Sequence, residues 1–421
     1  MAASPEPRVP EVSFLEFRDR AGLDRQRVPI EGTLETTYRC NLDCVHCYVN
    51  LPAGSREVRE RELSLDRLKA LVDEMVEEGC LFVLFTGGEV LVRPDFPELY
   101  LHARSKGLLV TIFTNGTLVT DGVADLLARH PPEKVEISLY GMTRETCERV
   151  TRVPGSFAKC LAGIRRLVER GVPLSLKTMA LTWNHHEVAA MEEYAKALGL
   201  PFRFDSSLNP RVDCGANRNS ELQLDPERAL ALDLGSPERM EGFREFCERF
   251  VRPDAEYGAE KVYTCGAGQS SFTVDPYGRL QMCQLSRNSF HDLSHGRFAD
   301  GWHGLFPRLR ERTWQTNEVC RRCSLMALCG SCPGAAEMET GDVEGIVPAF
   351  CELAHLRAWA VMGEGSGHRR DATCCLGHGR LASRPDAEAR AALSGGCGSC
   401  ANAAPESGER LVRLERRAPH G

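Results

Sequence analysis

Cys40, Cys44 and Cys47 stand together in the run YRCNLDCVHCYV, spaced CxxxCxxC. Three thiolates on so short a loop can wrap one four-iron cubane and leave one iron without a protein ligand. An iron left open in this way can chelate the amino and carboxylate groups of a small ligand, which turns a structural cluster into a reactive one. Zinc is the rival metal, although its structural sites usually take four ligands from paired CxxC or CxxH knuckles. A second set of thiols follows at Cys265, Cys283, Cys320, Cys323, Cys329, Cys332 and Cys351, with Gly278 separated from Cys283 by four residues. Its CRRC and CGSC pairs are compatible with zinc knuckles as well as with clusters.

The chain holds 19 cysteines in 421 residues, with 26% charged residues and a net charge of -7. That balance offers no basic field for nucleic acid or an anionic membrane. The first thirty residues mix charges and prolines, and nothing later approaches the ~20 apolar residues of a membrane span. A cytoplasmic protein is expected, and a reducing cytosol disfavours disulfides, so metal ligation is the better explanation for the thiols. Scattered Cys80, Cys147, Cys160, Cys214 and Cys247 read as small buried hydrophobes. Cys374, Cys375, Cys397 and Cys400 lie in a Gly, Ser, Arg and Ala-rich tail, where a CxxC pair carries little information.

Elements must bring these residues together. Strand-like runs at 33–39, 81–86, 108–114, 134–140, 173–181 and 201–207 alternate with amphipathic stretches. One is SLDRLKALVDEMVEEG, with Ser64 as N-cap and an apolar face of Leu68, Leu71, Val72 and Met75. Six βα units predict an α/β fold, an open, partial (β/α)6 TIM barrel with its chemistry at the carboxyl ends of the strands, followed by a small cysteine-rich iron-sulfur domain. The expected organisation is an N-terminal extension over 1–30, the barrel over 31–209 and a linking helical segment over 210–259. A cysteine-dense unit with little periodicity, folding around its metals, takes 260–362, and a disordered tail 363–421.

The cysteine loop directly follows the first strand, and the second strand ends in FTGGEVL. This arrangement resembles the radical S-adenosylmethionine superfamily. The resemblance implies S-adenosylmethionine and a four-iron cluster on Cys40, Cys44 and Cys47 as cofactors. Gly87, Gly88 and Glu89 would meet the methionyl amine, the glycines by close backbone approach and the carboxylate as acceptor. Asn115 in TNG and Ser138 in ISLYG would contact the ribose, and His46 would lie near the adenine. Arg149, Arg152 and Lys177 could meet the cofactor carboxylate, though a solvated helix face explains the two arginines equally well. Reductive cleavage would yield methionine and a 5'-deoxyadenosyl radical that abstracts hydrogen from a substrate.

Residues 260–355 resemble the SPASM extension of radical enzymes that modify peptides and proteins. Carried over by position, Cys320, Cys323, Cys329 and Cys351 would ligate one auxiliary four-iron cluster, and Cys265, Cys283 and Cys332 another. Cys329 and Cys332 are two residues apart where that pattern usually has three. The function implied is modification of a ribosomally made peptide or protein by a thioether, a carbon-carbon crosslink or epimerisation. Maturation of a peptide-derived redox cofactor is the alternative within the enzyme class. Sulfatase-maturase-like oxidation is disfavoured, because Gln284 stands after Cys283 where those enzymes have an Asp, and an amide is a poor base. A non-catalytic iron-sulfur electron carrier is the reading from another class, but it needs no GGE turn. An external electron donor such as a flavodoxin or ferredoxin is implied. Too few residues precede the barrel for a winged-helix leader-binding domain, so leader recognition is expected from a separate small protein or the enzyme's own cleft.

Overall fold

The computed structural model describes residues 26–49, 51–212, 219–250, 260–323, 325–330 and 332–362, together with residues 20 and 22. Cys214, the tail cysteines, most of the N-terminal extension and the tail lie outside the described residues.

Six parallel strands form the frame: β1 (Glu31–Thr37), β2 (Phe82–Gly87), β3 (Leu109–Thr114), β4 (Lys134–Ser138), β5 (Leu174–Met179) and β6 (Phe202–Asp205). They pair in sequential order, as the six predicted βα units require. Each parallel neighbour needs a long crossover, which a helix supplies. These are α1 (Leu65–Glu77), α2 (Phe96–Ser105), α3 (Asp121–Arg129), α4 (Arg144–Thr151), α5 (Ser156–Glu169) and α6 (Val188–Ala197). Ser64 Oγ accepts the Arg67 N–H at 3.2 Å, and α1 buries Leu68, Leu71, Val72 and Met75, the face read from its spacing.

Alternation along the strands separates two environments. Leu34, Val83, Phe85, Val110, Ile112, Val135, Ile137 and Leu176 enter the core that the helices cover. Their neighbours Glu35, Glu136, Ser138, Lys177 and Arg203 are polar and charged. Glu136 accepts from Ser175 at 3.2 Å and from Arg203 Nε at 3.0 Å, with Lys177 Nζ at 3.2 Å. The inner face of the sheet therefore carries a cluster of charged groups, suited to a charged ligand.

The sheet does not stop at β1. β7 (Ser271–Val274) pairs parallel with β1 on its other side, and β8 (Arg279–Gln281) and β9 (His291–Asp292) add antiparallel strands, giving the order β9-β8-β7-β1-β2-β3-β4-β5-β6. The cysteine-dense region thus shares a sheet with the barrel, where the sequence reading found little periodicity. Phe272 explains the fit: its ring packs on Phe298 at 4.7 Å, and a Cβ on Gly32 would lie 2.5 Å from it. The link from β7 to β8 is Asp275-Pro276-Tyr277-Gly278, with Gly278 at φ +86° and Asp275 accepting the Tyr277 and Arg279 N–H groups at 2.9 Å each.

Burial pushes the Asp275 carboxyl up to about 6, with Glu35 adding repulsion. A folded value above that of a free aspartate means this group favours folding below about pH 4, and the contribution is lost as pH rises through about 6. Asp275→Asn keeps the accepting oxygen. It is expected to stabilise the protein by about 2–3 kcal/mol at pH 8, with the gain vanishing near pH 4. Denaturant unfolding at both pH values checks this, and an equal effect at the two would contradict it.

Beyond β6 come α7 (Pro226–Asp233) and α8 (Pro237–Phe250), the helices expected in the linking segment. The C-terminal unit ends in α9 (Pro333–Thr340) and α10 (Pro348–Met362), whose Arg357 reaches Asp233 at 2.6 Å. An open cleft runs beside the edge strand β6, lined by Phe204, Arg239, Phe243, Phe246 and Arg357. Among the described residues no helix is long and apolar enough to cross a membrane.

Candidate cofactor and cluster site

The CxxxCxxC loop leaves the sheet at the carboxyl end of β1. Arg39–Cys40 pairs with Leu51–Pro52, which closes the base of the loop. Arg39 is locked by a two-point pair with Glu62, at 2.9 Å for each contact. The far side is pinned by Asp43 N–H to Thr151 O and Val45 N–H to Val150 O, both 3.0 Å, at the end of α4. Arg211 donates to the Cys47 carbonyl at 3.3 Å, and the Val212 N–H to the Tyr48 carbonyl at 3.0 Å. The loop is thus held from four directions before any metal enters.

Cys40 is buried, and Cys44 and Cys47 are half-buried. Burial pushes the Cys40 thiol up to about 12, with Glu89 and Cys47 adding repulsion. Cys44 is raised by burial and then by Cys47 and Cys40. Three thiols this close, none in a disulfide, give up their protons when a cation replaces them, which is what a cluster site demands. Among the described residues no three His, Cys, Asp or Glu side chains converge on one ion. Thiolates around a cubane need not, since each binds a different iron.

The GGE turn carries a surprise. A Cβ on Gly87 would sit 2.1 Å from the Thr37 carbonyl oxygen, and one on Gly88 would sit 2.4 Å from that of Arg39. The Gly88 N–H donates to Thr37 O at 2.7 Å and the Glu89 N–H to Arg39 O at 3.0 Å. The close approach these glycines permit is to the backbone leading into Cys40. Glu89 is fully buried and accepts from Leu91 N–H at 3.1 Å, Thr114 Oγ1 at 2.8 Å and Asn115 N–H at 2.7 Å. Burial raises its pKa against those three bonds. A carboxylate has about four acceptor positions, so little capacity is left for an ammonium group. Glu89→Gln sets an amide NH2 against donors, and is expected to cost about 1–3 kcal/mol of stability besides weakening cofactor binding. Thermal unfolding together with anaerobic cofactor titration separates the two effects; weaker binding at unchanged stability would restore a purely ligand-binding role.

Asn115 also looks toward the loop. Its Nδ2 donates to Asn41 Oδ1 at 3.0 Å and points at Cys40 Sγ at 3.7 Å, while its Oδ1 accepts from the Thr117 N–H and hydroxyl. Ser138 lies half-buried at the end of β4, in register with Lys177. His46 packs edge-on against Tyr140 at 4.9 Å. Its Nδ1 is buried without a partner, and burial drops the ring's pKa to about 4, so it stays neutral. Such an orphaned ring nitrogen beside the thiols fits a ligand completing the site. Arg149 stacks over Trp183 at 4.2 Å, and Arg152 pairs with Asp43 at 3.4 Å. Lys177 stays on the inner wall over Phe113, its pKa lowered by burial to about 7.

In the second set, Cys283 feels the charge of Cys332 and Cys265, and Cys332 that of Cys265 and Cys329. Cys332 caps α9, its Sγ accepting the Ala335 N–H at 3.4 Å, while burial raises its thiol against that bond. Cys320 and Cys323 share a turn in which the Cys323 N–H donates to Cys320 O at 3.2 Å, and Cys351 is buried on α10. Cys80, Cys147, Cys160 and Cys247 are all buried. Cys247, however, packs in a small cluster with Cys323 and Cys329 rather than with Cys265 and Cys283.

A partial barrel with a three-cysteine loop after its first strand and a GGE turn after its second defines an enzyme built around a reactive iron-sulfur centre. The Radical SAM superfamily matches residues 34–195. The chain is 36% identical over 346 residues to Fe-coproporphyrin III synthase of Methanosarcina barkeri, covering 74% of this chain and 85% of that protein. It is 28% identical over 353 residues to PqqA peptide cyclase of Granulibacter bethesdensis, covering 80% and 91%. Streptococcus suis SuiB bound to its precursor peptide SuiA shares the fold, at a TM-score of 0.59 and 15% identity over 89% of this chain and 84% of that one. The chain belongs to the radical SAM superfamily and is an enzyme of that class. Membership brings S-adenosylmethionine and a four-iron cluster as its cofactors.

Proposed function

We propose that this enzyme modifies a ribosomally made peptide or protein, forming a thioether, a carbon-carbon crosslink or an epimerised residue. What carries this reading is the SPASM-type spacing of Cys265, Cys283, Cys320, Cys323, Cys329, Cys332 and Cys351, outside the radical loop. The likeness to PqqA peptide cyclase supports it.

Cys40, Cys44 and Cys47 would hold the radical cluster, and Glu89 and Asn115 would fix the loop that presents it. Neutral His46 and the inner-wall groups Ser138 and Lys177 would border the cofactor, while Gly87 and Gly88 let the GGE turn reach the loop. When bound, the cluster and S-adenosylmethionine supply a carbon radical that takes hydrogen from the substrate. Cys320, Cys323, Cys329 and Cys351 would hold one auxiliary four-iron cluster. Cys265, Cys283 and Cys332 would hold a second with an iron open to a substrate thiol or amide. A flavodoxin or ferredoxin would supply electrons in the cytoplasm, and a separate small protein or the enzyme's own cleft would hold the leader.

A second reading has its own support: the 36% identity to Fe-coproporphyrin III synthase exceeds that to the peptide cyclase, which points to an iron porphyrin as the alternative substrate. Coexpression with the short reading frame neighbouring the gene, followed by mass spectrometry, tests the first. Loss of hydrogen mass, or an inverted residue, in that peptide is expected. An unmodified peptide, with an iron porphyrin altered instead under reducing anaerobic conditions, would overturn it.

A further inference from the structure

One buried carboxylate joins the two cysteine sets. Glu35, on the inner face of β1, is wholly shielded from solvent and accepts from the Tyr38 hydroxyl at 2.9 Å, the Tyr48 hydroxyl at 3.2 Å and Gln284 Nε2 at 2.8 Å. Arg287 reaches it at 3.1 and 3.2 Å, and also donates to the Tyr38 hydroxyl at 2.6 Å. Gln284 donates in addition to the Tyr48 hydroxyl. The positions of these residues in the chain are what matter. Tyr48 directly follows Cys47, Tyr38 stands two residues before Cys40, and Gln284 directly follows Cys283.

The radical loop does not need this bridge to stay closed, because Glu62, the end of α4 and residues 211–212 already pin it. Nor does the Cys283 segment, which continues the sheet through β8. The pairing of β7 with β1 fixes the register of the strands, but not the placement of the two loops beyond the strand ends. A buried carboxylate tolerates few geometries, since losing any donor leaves charge uncompensated. Glu35 therefore ties the residues beside Cys47 and Cys283 to one arrangement.

We propose that Gln284 and Arg287 are positioning residues that set the spacing and orientation between the radical-cluster loop and the loop of Cys283, acting through Glu35 and Tyr48. This rests on the reading of Cys265, Cys283 and Cys332 as cluster ligands. The bridge gives Gln284 a role in this chain: its amide donates to Glu35 and Tyr48 at once, which a carboxylate there could not do.

The test uses reconstituted full-length protein reduced anaerobically with dithionite, iron analysis and pulsed electron paramagnetic resonance of the spin–spin coupling between clusters. Gln284→Leu removes the amide at similar volume, and Tyr48→Phe removes only the shared hydroxyl. Both are expected to keep wild-type iron content and the individual cluster spectra, yet to lose the single sharp coupling for a broad distribution. The double variant should broaden at least as far as Gln284→Leu, because Tyr48→Phe leaves the direct bonds of Gln284 and Arg287 to Glu35 in place. Wild-type coupling in Tyr48→Phe or in an iron-replete Gln284→Leu would overturn the proposal. Failure of the cluster reading is seen separately: wild-type iron equivalent to one cluster, unchanged by Cys283→Ala, would remove the auxiliary site and the bridge's role with it.

Discussion

Replacing Cys40, Cys44 or Cys47 by alanine is expected to abolish 5'-deoxyadenosine formation while leaving most of the iron proposed for the auxiliary sites bound. The expected loss is complete rather than partial because each thiolate would hold one of only three protein-ligated irons, and a cluster with two anchors is not retained in a defined geometry. The fold survives, since the loop's pins are made by backbone groups of Asp43, Val45, Cys47 and Tyr48 and by the Arg39–Glu62 pair. The second cysteine set is held by other elements, from the ends of β7 and β8 to α9 and α10. Chromatographic assay for 5'-deoxyadenosine beside iron and sulfide analysis checks both halves. Wild-type cleavage in any of the three variants would refute the assignment of the radical cluster.

Gly88→Ala is expected to be nearly as damaging, although it touches no metal ligand. The added methyl carbon would lie 2.4 Å from the Arg39 carbonyl oxygen and 2.7 Å from that of Tyr38. Both are backbone atoms in a paired segment, so the overlap is relieved only by displacing the chain that carries Cys40. Overpacking of this kind costs about 1–3 kcal/mol of stability. A misplacement near 1 Å at a reacting centre costs about 100-fold in rate. Cofactor cleavage should fall by about that factor, with a smaller fall in unfolding midpoint. Gly54→Ala is the control, because nothing lies within 4 Å of its added Cβ. Equal rates for the two variants would mean that the GGE glycines do not govern the loop.

Much of the frame was legible because its signals are local. The apolar runs of the six strands alternate with helices whose caps and faces repeat at fixed spacing, as Ser64 and Leu68 to Met75 illustrate. The cysteine loop and the GGE turn were legible for the same reason, as short contiguous motifs. The partner of the GGE glycines was not: spacing says that a backbone comes close at Gly88, but not whether it belongs to a ligand or to Arg39. The hairpin of β7 and β8 has a readable turn in Asp275-Pro276-Tyr277-Gly278, but it lies in a segment whose flanking cysteines signal metals more strongly than its short strands signal a sheet. Glu35 had no local signal at all, since Gln284 and Arg287 meet it from about 250 positions away. The place of Cys247 beside Cys323 and Cys329 likewise depends on how α8 packs against α10, which no periodicity reports.

The most direct measurement is to reduce the anaerobically reconstituted protein in the presence of S-adenosylmethionine and quantify 5'-deoxyadenosine and methionine against a Cys44→Ala control. The geometry of Cys40, Cys44, Cys47 and Glu89 predicts both products, well above the control and in equal amounts. A fully cluster-loaded protein that takes up electrons yet yields neither product above the Cys44→Ala control would contradict the account and leave an iron-sulfur electron carrier.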